Sequence, residues 1–499
     1  MISARIHKLR LSSPTINIRL LLRVIGLLLG IEGLFLLIPM ATCLVYGESD
    51  WLDFLLTSLF TMACGAGMYF LIKPRTSSMG KREGFLLTAM VWVVFSMFGM
   101  LPFMLMDTDP LSVSDAFFES MSGFTTTGAT VMTSISHLSH GAVIWRSLMQ
   151  WIGGMGIILF TLAVVPMLNS SGGMQMFNAE VTGITHDKLR PRISQTAKSL
   201  WLIYTCLTLT LYVLLQCGPM GTFDAVNYAF AVMSTGGFAT SDQGLDLWSS
   251  TYIEAVVTVF MFLGGVSFTL IYRLVHREFR TVWANEVFRV YIWIVLGCWA
   301  ILVANILLRG QAFTLKSVTL DPLFHVVSMI SSTGFEVADF ATWGTFALAI
   351  SFVLMFFGAC AGSTSGGAKI DRMIYMLKNC RNEITRSIYP NNILTVRVNG
   401  NVIPHDTVSK VVAFLCLYVI IIALGGIALC ALGMPLIDSF FSAFTCISNT
   451  GLSAGVTGYG GTFAIVPDAG KWILAFIMLT GRLELFTVLL LFTPSFWHK

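Results

Sequence analysis

The stretch DPLFHVVSMISSTG, residues 321–334, begins with an aspartate, continues through a mostly apolar run and ends in Thr-Gly. Three other stretches follow the same plan: DAFFESMSGFTTTG at 115–128, DAVNYAFAVMSTG at 224–236 and DSFFSAFTCISNTG at 438–451. The aspartate and the glycine are 13 positions apart in three copies and 12 apart in the second. Thr-Gly alone is common in this chain, but the recurrence of the complete plan predicts a fourfold internal repeat.

The composition is typical of a membrane protein. Of the 499 residues, 56% are hydrophobic and only 11% are charged, whereas soluble domains carry about 25% charged residues. A soluble protein of this length would need far more charge to cover its surface, so the composition indicates a polytopic membrane protein. The net charge of +4 is small, and no nucleic-acid partner is indicated.

Long apolar segments recur along the whole chain, each close to the roughly 20 residues that a helix needs to cross a bilayer. Ten are predicted, at about 20–46, 51–72, 84–106, 143–168, 196–217, 250–274, 287–308, 343–361, 409–433 and 470–494. They are expected to be helices, because a bilayer core offers no partner to an open strand. The first segment is too long for a cleaved signal sequence and is interpreted as a retained span.

Lysine and arginine are unevenly divided between the connections. One set carries most of them, including Lys73, Lys188, Arg277, Lys369 and Arg386, whereas the other carries only Arg146, Arg309, Lys316 and Lys471. The positive-inside rule makes the first set cytoplasmic. An even number of spans with both termini in the cytoplasm is therefore expected.

The short apolar stretches lie between pairs of spans, so the chain divides into two leading helices and four copies of a helix–short helix–loop–helix unit. The predicted boundaries are 1–75 for the leading helices and 76–190, 191–282, 283–400 and 401–499 for the repeats. The predicted pore loops are 115–130, 224–239, 321–336 and 438–453. The expected fold class is an all-α polytopic membrane protein with four pseudo-symmetric repeats around one pore.

Each short helix cannot cross the bilayer, so it is expected to enter and leave on the same side. Asp115, Asp224, Asp321 and Asp438 are expected to cap the N-termini of these helices. Their C-terminal ends, which carry partial negative charge, then point toward a shared axis. The glycine that follows permits a backbone that turns successive carbonyl oxygens toward that axis, where they can replace the water around a cation.

The residues expected to bind the ion at this filter are Thr127, Gly128, Thr235, Gly236, Thr333, Gly334, Thr450 and Gly451. The polar residues before them, Thr126, Ser234, Ser332 and Asn449, are expected to support the loops. For any single loop the alternative is an ordinary outer turn in which glycine ends a helix. Because the four loops differ and none contains TVGYG, fewer well-formed ion sites are expected than in a symmetric tetrameric potassium channel.

The second helix of the third repeat is expected to break in a gating loop at 358–368, where GACAGSTSGG occupies 358–367. Such a run is a poor helix interior, and it is expected to obstruct the pore through Gly362, Ser363, Gly366 and Gly367. Close packing of small residues between helices is the alternative. Arg482 lies deep in the last span, so it must face protein or water. It is expected either to repel cations in the pore or to bond the exposed carbonyls of the broken helix.

These motifs together resemble the Trk/Ktr/HKT superfamily of potassium transporters, and in particular its bacterial Trk branch of potassium-uptake membrane subunits. The resemblance is carried by the four loops, by FFGACAGSTSGGAK at 356–369 and by GRLELF at 481–486, and it covers essentially the whole chain. It implies a potassium-selective filter at the four glycines, an intramembrane gate and a pore arginine. Plant relatives that prefer sodium carry serine at the first glycine, so Gly128 favours potassium. Glu336 is expected to make the mouth more acidic.

The resemblance also implies the bacterial inner membrane, a homodimer and a cytoplasmic nucleotide-binding regulatory subunit, TrkA. The basic connections, especially 369–386, are expected to contact that subunit or anionic membrane lipids. Potassium is the transported ion, and no cofactor or enzymatic activity is expected. The leading functional interpretation is potassium uptake through a channel-like pore, and the alternative is proton- or sodium-coupled symport. The parallel repeats and the single clearly broken helix favour the pore.

Overall fold

The computed structural model describes residues 16–74, 79–107, 109–156, 193–310, 314–392, 394–452, 457–458 and 461–497. Almost all regular structure in these ranges is helical, as the composition predicts. The described residues contain one small sheet, a hairpin that pairs β1 (Arg397–Val398) with β2 (Asn401–Val402).

Two leading spans form an antiparallel hairpin. They comprise α1 (Ile18–Phe35) continued by α2 (Leu37–Tyr46), and α3 (Trp51–Leu71). Small residues let α1 and α3 approach closely, since a Cβ on Gly65 would lie under 3.0 Å from the backbone of Gly26. Contact through small residues is the usual way in which helices pack inside a membrane.

The first two repeats follow the predicted order of elements. In repeat 1 these are α4 (Lys81–Gly99), α5 (Leu101–Leu105), the short helix α6 (Val113–Phe124) and α7 (His140–Gly154). In repeat 2 they are α8 (Ile193–Gln216), the short helix α9 (Thr222–Met233), a 3₁₀ turn at Gly244–Trp248, α10 (Thr251–Gly264), α11 (Phe268–Val275) and α12 (Phe279–Ala284).

The last two repeats use the same order. Repeat 3 contains α13 (Glu286–Leu308), the short helix α14 (Leu315–Ile330), a 3₁₀ turn at Phe340–Trp343, α15 (Thr345–Phe357) and α16 (Ile370–Ile388). Repeat 4 contains α17 (His405–Ala431), the short helix α18 (Leu436–Ser448), a 3₁₀ turn at Phe463–Ile465, α19 (Asp468–Arg482), α20 (Phe486–Leu489), a 3₁₀ turn at Leu490–Phe492 and α21 (Pro494–Trp497).

The predicted spans can be compared with helices of sufficient length and hydropathy. Within the described ranges, six helices qualify: Ile18–Tyr46, Trp51–Leu71, Arg82–Leu105, Ala197–Gln216, Glu286–Leu308 and His405–Ala431. Two bent pairs, α10 with α11 and α19 with α20, coincide with two further predicted spans. The span predicted at 343–361 corresponds to α15, which has only 13 residues. The second half of the span predicted at 143–168 lies outside the described residues.

The prediction of a single broken helix is wrong. The chain turns by 106° between α10 and α11 and by 113° between α19 and α20, in addition to the break after α15. Glycines near the C-terminal ends of α7 and α19 leave room for a neighbouring short helix. A Cβ on Gly481 or Gly153 would lie under 3.0 Å from a carbonyl oxygen at the end of α18 or α6.

The prediction that aspartates cap the short helices is also wrong. Ser112 and Thr314 cap α6 and α14 through their side chains, and α9 and α18 have no side-chain cap. Asp115, Asp224 and Asp438 lie in the first helical turn, where a carboxylate still stabilises the helix dipole. Asp321 lies inside α14, because that helix begins six residues earlier, at Leu315, and continues through Pro322.

A ring of four loops and the segment packed against it

Each short helix ends in the same backbone conformation. Within two residues of the helix end, one residue has a positive φ: 55° at Thr126, 54° at Thr235, 53° at Ser332 and 52° at Asn449. One position farther on, an amide donates back into the helix: Thr127 N to Ser122 O, Gly236 N to Ala231 O, Thr333 N to Ser328 O and Thr450 N to Thr445 O, at 2.9–3.1 Å. A glycine with a φ of 80–82° follows at positions 128, 237, 334 and 451. The four loops are therefore structurally equivalent.

This equivalence corrects the predicted alignment of the second loop. Gly237, and not Gly236, matches the glycines of the other three loops, so the second separation from the aspartate is also 13 positions. Gly236 takes the place of the threonine, and Thr235 takes the place that was assigned to Ser234. The second loop contains two glycines in succession, so aligning the loops on Thr-Gly selects the first glycine, whereas the backbone conformation selects the second.

The four loops meet one another in a closed ring, formed by residues 126–128, 235–237, 332–334 and 449–451. A Cβ on Gly128 would lie under 3.0 Å from the carbonyl oxygen of Gly236, and the same holds for Gly237 with Thr333, Gly334 with Thr450 and Gly451 with Thr127. The carbonyl oxygen before each glycine thus lies against the glycine of the adjacent loop. Positive φ and lack of space both require glycine at these positions.

The threonine hydroxyls of the ring bond within their own loops. Thr127 Oγ1 lies 2.8 Å from Thr125 Oγ1, Thr333 Oγ1 lies 2.7 Å from Ser331 Oγ and Thr450 Oγ1 lies 2.9 Å from Ser448 Oγ. These bonds hold each loop against the end of its short helix. The side chains of the predicted ion-binding threonines therefore brace the loops, and the atoms at the contacts between loops are backbone carbonyls.

Asn449 links the last loop to the first. Its Nδ2 donates to Thr127 Oγ1 at 2.9 Å and to the Met478 carbonyl at 3.1 Å. Ser234 bonds within its own helix end, with its hydroxyl donating to the Ala231 carbonyl at 3.1 Å. The supporting role predicted for Asn449 has a direct structural counterpart in these two bonds.

Gln150, on α7, is a ring neighbour that the sequence did not single out. Its Nε2 donates to the Gly236 carbonyl at 2.7 Å, and its Oε1 accepts from the Phe238 amide at 3.2 Å. A Cβ on Gly236 would lie under 3.0 Å from the Gln150 side chain. Gln150 thus fills the space beside the loop that lacks a threonine side chain. A polar residue within an apolar span indicates a contact with protein or water, and this feature of the sequence could have identified Gln150.

A buried ion pair supports the chain that follows the first loop. Arg146 Nε lies 2.8 Å from Glu119 Oε1, and both side chains are buried. Glu119 also accepts from Thr130 Oγ1 and the Val131 amide, while the Arg146 guanidinium lies 4.1 Å from the centre of the Phe238 ring. Arg146 was counted from the sequence among the few charges of the outer side, and the structure buries it within α7 against Glu119. The carboxylate of Glu119 within a mostly apolar short helix is the sequence feature that indicates a buried partner for Arg146.

The chain between α15 and α16, residues 358–369, packs against the C-terminal ends of the short helices; we call it the crossing segment. Gly367 N donates to Ser448 O at 3.0 Å, Gly366 N donates to Ser332 Oγ, and Thr364 Oγ1 donates to Met233 O at 3.3 Å. These bonds connect the segment to the short helices or loops of repeats 2, 3 and 4.

The crossing segment also bonds to the break between α10 and α11. Cys360 N donates to Gly265 O at 3.0 Å, Thr364 N donates to Gly264 O at 3.3 Å, and Phe268 N donates to Gly362 O at 2.9 Å. These bonds satisfy backbone groups that the two interrupted helices leave unpaired, as burial requires. The break in repeat 2, which was not predicted, and the predicted break in repeat 3 therefore satisfy each other's backbone hydrogen bonds.

The small residues of the crossing segment are used for close packing and for positive φ. Gly362 and Gly367 have φ values of 74° and 76°, and a Cβ on Gly366 would lie under 3.0 Å from the Ser448 carbonyl. Ser363 Oγ donates to Cys360 O at 2.6 Å and lies 2.8 Å from Ser365 Oγ. The packing alternative therefore describes part of this segment well, and it does not conflict with an obstructing role.

Arg482 joins the crossing segment to repeat 1. Nη1 donates to the Thr364 carbonyl at 2.9 Å, and Nη2 donates to the carbonyls of Gly153 and Gly154 at 2.8 and 3.0 Å. These carbonyls belong to a broken segment and to a helix end, as the structural alternative for Arg482 expects. Because the guanidinium lies where repeats 1, 3 and 4 converge, its charge also lies close to the crossing segment.

A second group of charges lies where the crossing segment enters α16. Lys369 Nζ donates to the Ser365 carbonyl and lies 3.3 Å from Ser365 Oγ, and Arg372 Nη2 lies 2.6 Å from Glu484 Oε1. Lys369 and Arg372 are 2% and 4% exposed. The prediction that the whole stretch 369–386 is available to a partner is therefore wrong for its first residues.

A cavity of about 450 Å³ borders the ring at Gly237 and Gly334 and is otherwise lined mainly by residues that follow the loops. Asp242, Asp246 and Glu336 contribute its acidic lining. Burial acts to raise the pKa of Asp242, but bonds from the Ile135 amide and two serine hydroxyls outweigh it and hold the pKa below its usual range. Burial, and then the Asp339 carboxylate, raise the pKa of Glu336 to about 8. At pH 7 Asp242 is therefore the stronger source of negative charge.

Comparison with known proteins gives consistent matches over nearly the whole chain. Residues 52–499 match the model of the TrkH family, described as a cation transport protein. The chain is 33% identical over 489 residues to the Trk system potassium uptake protein TrkH of Escherichia coli strain K12, covering 97% of this chain and all of that protein. It is 30% identical over 487 residues to TrkG of the same strain, again covering 97% of this chain and all of that protein.

Structural comparison gives the same result. The crystal structure of the potassium transporter TrkH from Vibrio parahaemolyticus matches with a TM-score of 0.86 and 31% identity. The match covers 96% of this chain and all of that one. The similarity therefore extends over nearly the whole chain, and it confirms the predicted helical, polytopic membrane fold.

Proposed function

The chain belongs to the TrkH family of cation transport proteins, and we propose that it carries potassium into the cell through a channel-like pore whose selectivity filter is the ring of four loops. It is a transport protein and not an enzyme. The relatives and the structural neighbour are named as potassium uptake proteins or transporters. Inward movement of potassium is favoured by an inside-negative membrane potential, at about 2.3 kcal/mol per charge per 100 mV.

The observation that carries this proposal is the closure of the ring. Four equivalent carbonyl oxygens, of Thr127, Gly236, Thr333 and Thr450, each lie against the glycine of the next loop. Carbonyl oxygens held in this way can replace the hydration shell of potassium. The C-terminal ends of the four short helices add partial negative charge on the same side. Gly128, Gly237, Gly334 and Gly451 are then required because any side chain would displace a coordinating carbonyl.

The ring offers unequal oxygens to an ion. The Gly236 carbonyl already accepts a hydrogen bond from Gln150 at 2.7 Å, which reduces the negative potential that it presents to a cation. The other three loops contain threonine at this position, and its hydroxyl bonds elsewhere in the same loop. We infer that this layer of the filter binds potassium with three strong oxygens and one weaker one.

The crossing segment is proposed to be the gate. It bonds to parts of repeats 2, 3 and 4, and Arg482 connects it to repeat 1. It therefore lies across the path that an ion would follow after leaving the ring. Opening would require the bond between Arg482 and Thr364 to break, since that bond holds the middle of the segment.

Proton- or sodium-coupled symport is the second candidate, and one observation favours it. The second helices of repeats 2, 3 and 4 break at corresponding positions, and broken helices in matching positions are typical of secondary transporters. The repeats are nevertheless parallel, and all three breaks pack beside one segment. A single permeation path with one obstruction explains this arrangement more directly.

Ion-replacement flux of the purified protein in proteoliposomes tests the proposal. With equal pH and sodium on both sides, an imposed potassium gradient should drive potassium flux, and replacing potassium with sodium should reduce it. A flux that appears only with a proton or sodium gradient would favour symport. Protein-free liposomes and the same protein with Gly334→Ala in the ring provide the matched controls.

The cellular setting extends the proposal. We place the chain in the bacterial inner membrane with both termini in the cytoplasm, as a homodimer that binds the nucleotide-responsive subunit TrkA. The exposed end of α16 supports a contact with this subunit or with anionic lipids, because Lys378, Arg381 and Arg386 remain accessible there while Lys369 and Arg372 do not. Flux measured with and without the regulatory subunit tests the contact.

A further inference from the structure

Three aspartates converge at the end of the molecule that contains the start of the short helix α6. Asp50 immediately precedes α3, Asp53 lies in its first turn and Asp107 follows α5. One carboxylate oxygen from each of the three lies within 4.8 Å of the other two. The three residues come from the leading hairpin and from repeat 1, so the cluster joins two parts of the fold.

Asp50 distinguishes this cluster from an ordinary acidic surface. Its side chain is only 1% exposed, and neither carboxylate oxygen accepts a hydrogen bond from any described residue. Asp50 occupies the N-cap position of α3 but does not cap the helix. No described lysine or arginine forms an ion pair with any of the three carboxylates. A buried carboxylate without a donor or a countercharge is costly, and two further carboxylates beside it increase the cost.

We propose that Asp50, Asp53 and Asp107 bind a divalent cation of the calcium type. Calcium takes oxygen ligands at 2.3–2.6 Å, so two oxygens bound to one ion lie at most about 4.6–5.2 Å apart. Asp50 supplies the buried ligand, Asp53 is half-buried and Asp107 is exposed, which leaves the remaining coordination positions to water. Magnesium demands a near-ideal octahedron of ligands, whereas calcium accepts a flexible mixture of carboxylate and water oxygens such as this cluster would supply.

The ion would connect the leading hairpin to the chain that enters the ring. Asp107 follows α5, and Leu111 donates its amide to the Phe103 carbonyl at 3.0 Å before α6 begins. The C-terminal end of α6 forms the first loop. A cation at the aspartates therefore fixes the start of the short helix that supports Gly128, without itself lying on the potassium path.

Calcium-dependent thermal unfolding tests the site in purified full-length protein at constant, high potassium. We expect calcium to raise the unfolding temperature with an apparent Kd on the order of 10⁻⁴–10⁻³ M, the range of extracellular calcium modules. Asp50→Asn and Asp107→Asn should each weaken calcium affinity by at least about tenfold. Asp109→Asn, an exposed aspartate in the same connection, is the matched control and should respond like the unmodified protein.

Terbium luminescence provides a second measurement that does not depend on unfolding. Terbium should bind the unmodified protein and be displaced by calcium, and Asp107→Asn should remove most of the calcium-sensitive signal. Because Asp107 is exposed, this variant retains the fold even if Asp50→Asn does not. Equal calcium responses in all variants, or no response in the unmodified protein, would overturn the proposal. So would a stability gain on acidification that calcium cannot reproduce, since that result means that the carboxylates share a proton.

Discussion

The guanidinium group of Arg482 donates a hydrogen bond to the carbonyl oxygen of Thr364 at 2.9 Å. This bond joins the end of α19 in the fourth repeat to the middle of the crossing segment, and the same guanidinium reaches the end of α7 in the first repeat. One side chain thus connects the segment to both sides of the fold. Two explanations of Arg482, a charge that repels cations and a strut that holds the segment, make different predictions.

Replacing Arg482 with alanine should increase potassium flux in the absence of any activator by severalfold or more. The variant removes the bond to Thr364 and the positive charge together. Arg482→Lys separates the two effects, because lysine keeps the charge but lacks the planar fork that reaches two partners at once. If the strut matters most, the lysine variant should also leak. Proteoliposome flux is the measurement.

The exposed Arg289→Ala variant on α13 is the control for Arg482 and should leave basal flux unchanged. If Arg482→Ala does not raise basal potassium flux, both roles are contradicted. If Arg482→Ala raises the flux and Arg482→Lys does not, the effect is due to the charge alone.

Deleting residues 363–365 should raise basal flux while the preference for potassium over sodium remains. The deletion removes the Thr364 carbonyl and shortens the crossing segment. The backbone hydrogen bonds that shape the four loops run from each loop to its own short helix, so they stay intact. Ser363→Ala keeps the length of the segment and the Thr364 carbonyl, so it should raise basal flux less than the deletion does. A deletion variant that folds and shows no additional flux would mean that the crossing segment is not the barrier.

Much of this architecture can be predicted from the sequence. The period of the four stretches and the length of the apolar runs predict the repeats, because membrane helices must satisfy their backbone internally. The break at Gly358 is evident from the density of glycine around it. The breaks after Gly264 and Gly481 are not, because one or two glycines in an apolar run are equally compatible with close packing of a continuous helix.

The details of the site are harder to predict because they depend on contacts between distant parts of the chain. The alignment of Gly237 follows from its φ and from its contact with Thr333 in another repeat. The burial of Arg146 follows from its pairing with Glu119, 27 positions away. Charge counting along the sequence cannot distinguish a paired, buried arginine from one in an exposed connection.

Replacing Gly128 with serine should reduce the preference for potassium over sodium by at least about tenfold, equivalent to about 1.4 kcal/mol. The serine Cβ would be forced against the Gly236 carbonyl and would require a positive φ that non-glycine residues rarely adopt. The displaced carbonyl would then fit the dehydrated ion poorly. Bi-ionic flux measures the preference, and Gly30→Ala, at a helical glycine with open space around it, is the control. Unchanged selectivity would count against the carbonyl ring.

The corrected alignment of the second loop predicts that Gly237 and Gly236 respond differently to alanine. Gly237→Ala should abolish selective flux, since its Cβ meets the Thr333 backbone and its φ is 81°. The nearest atoms to a Cβ in Gly236→Ala belong to the side chain of Gln150, and shortening that side chain with Gln150→Ala should restore part of the flux. Equal losses at both glycines, or no rescue at Gly236, would contradict the alignment. Flux of the two single variants and the double variant is the measurement.

Breaking the buried pair between Glu119 and Arg146 should destabilise the protein by about 3–5 kcal/mol, because the remaining charge is left without a partner. Glu119→Gln and Arg146→Met remove one partner each, and the double variant should recover part of the loss. The exposed pair of Glu383 and Arg386 is the control, and removing Arg386 should cost no more than about 1 kcal/mol. Unfolding followed by tryptophan fluorescence in detergent measures these differences. Two single variants whose losses simply add in the double variant would show that the pair does not act as a unit behind the first loop.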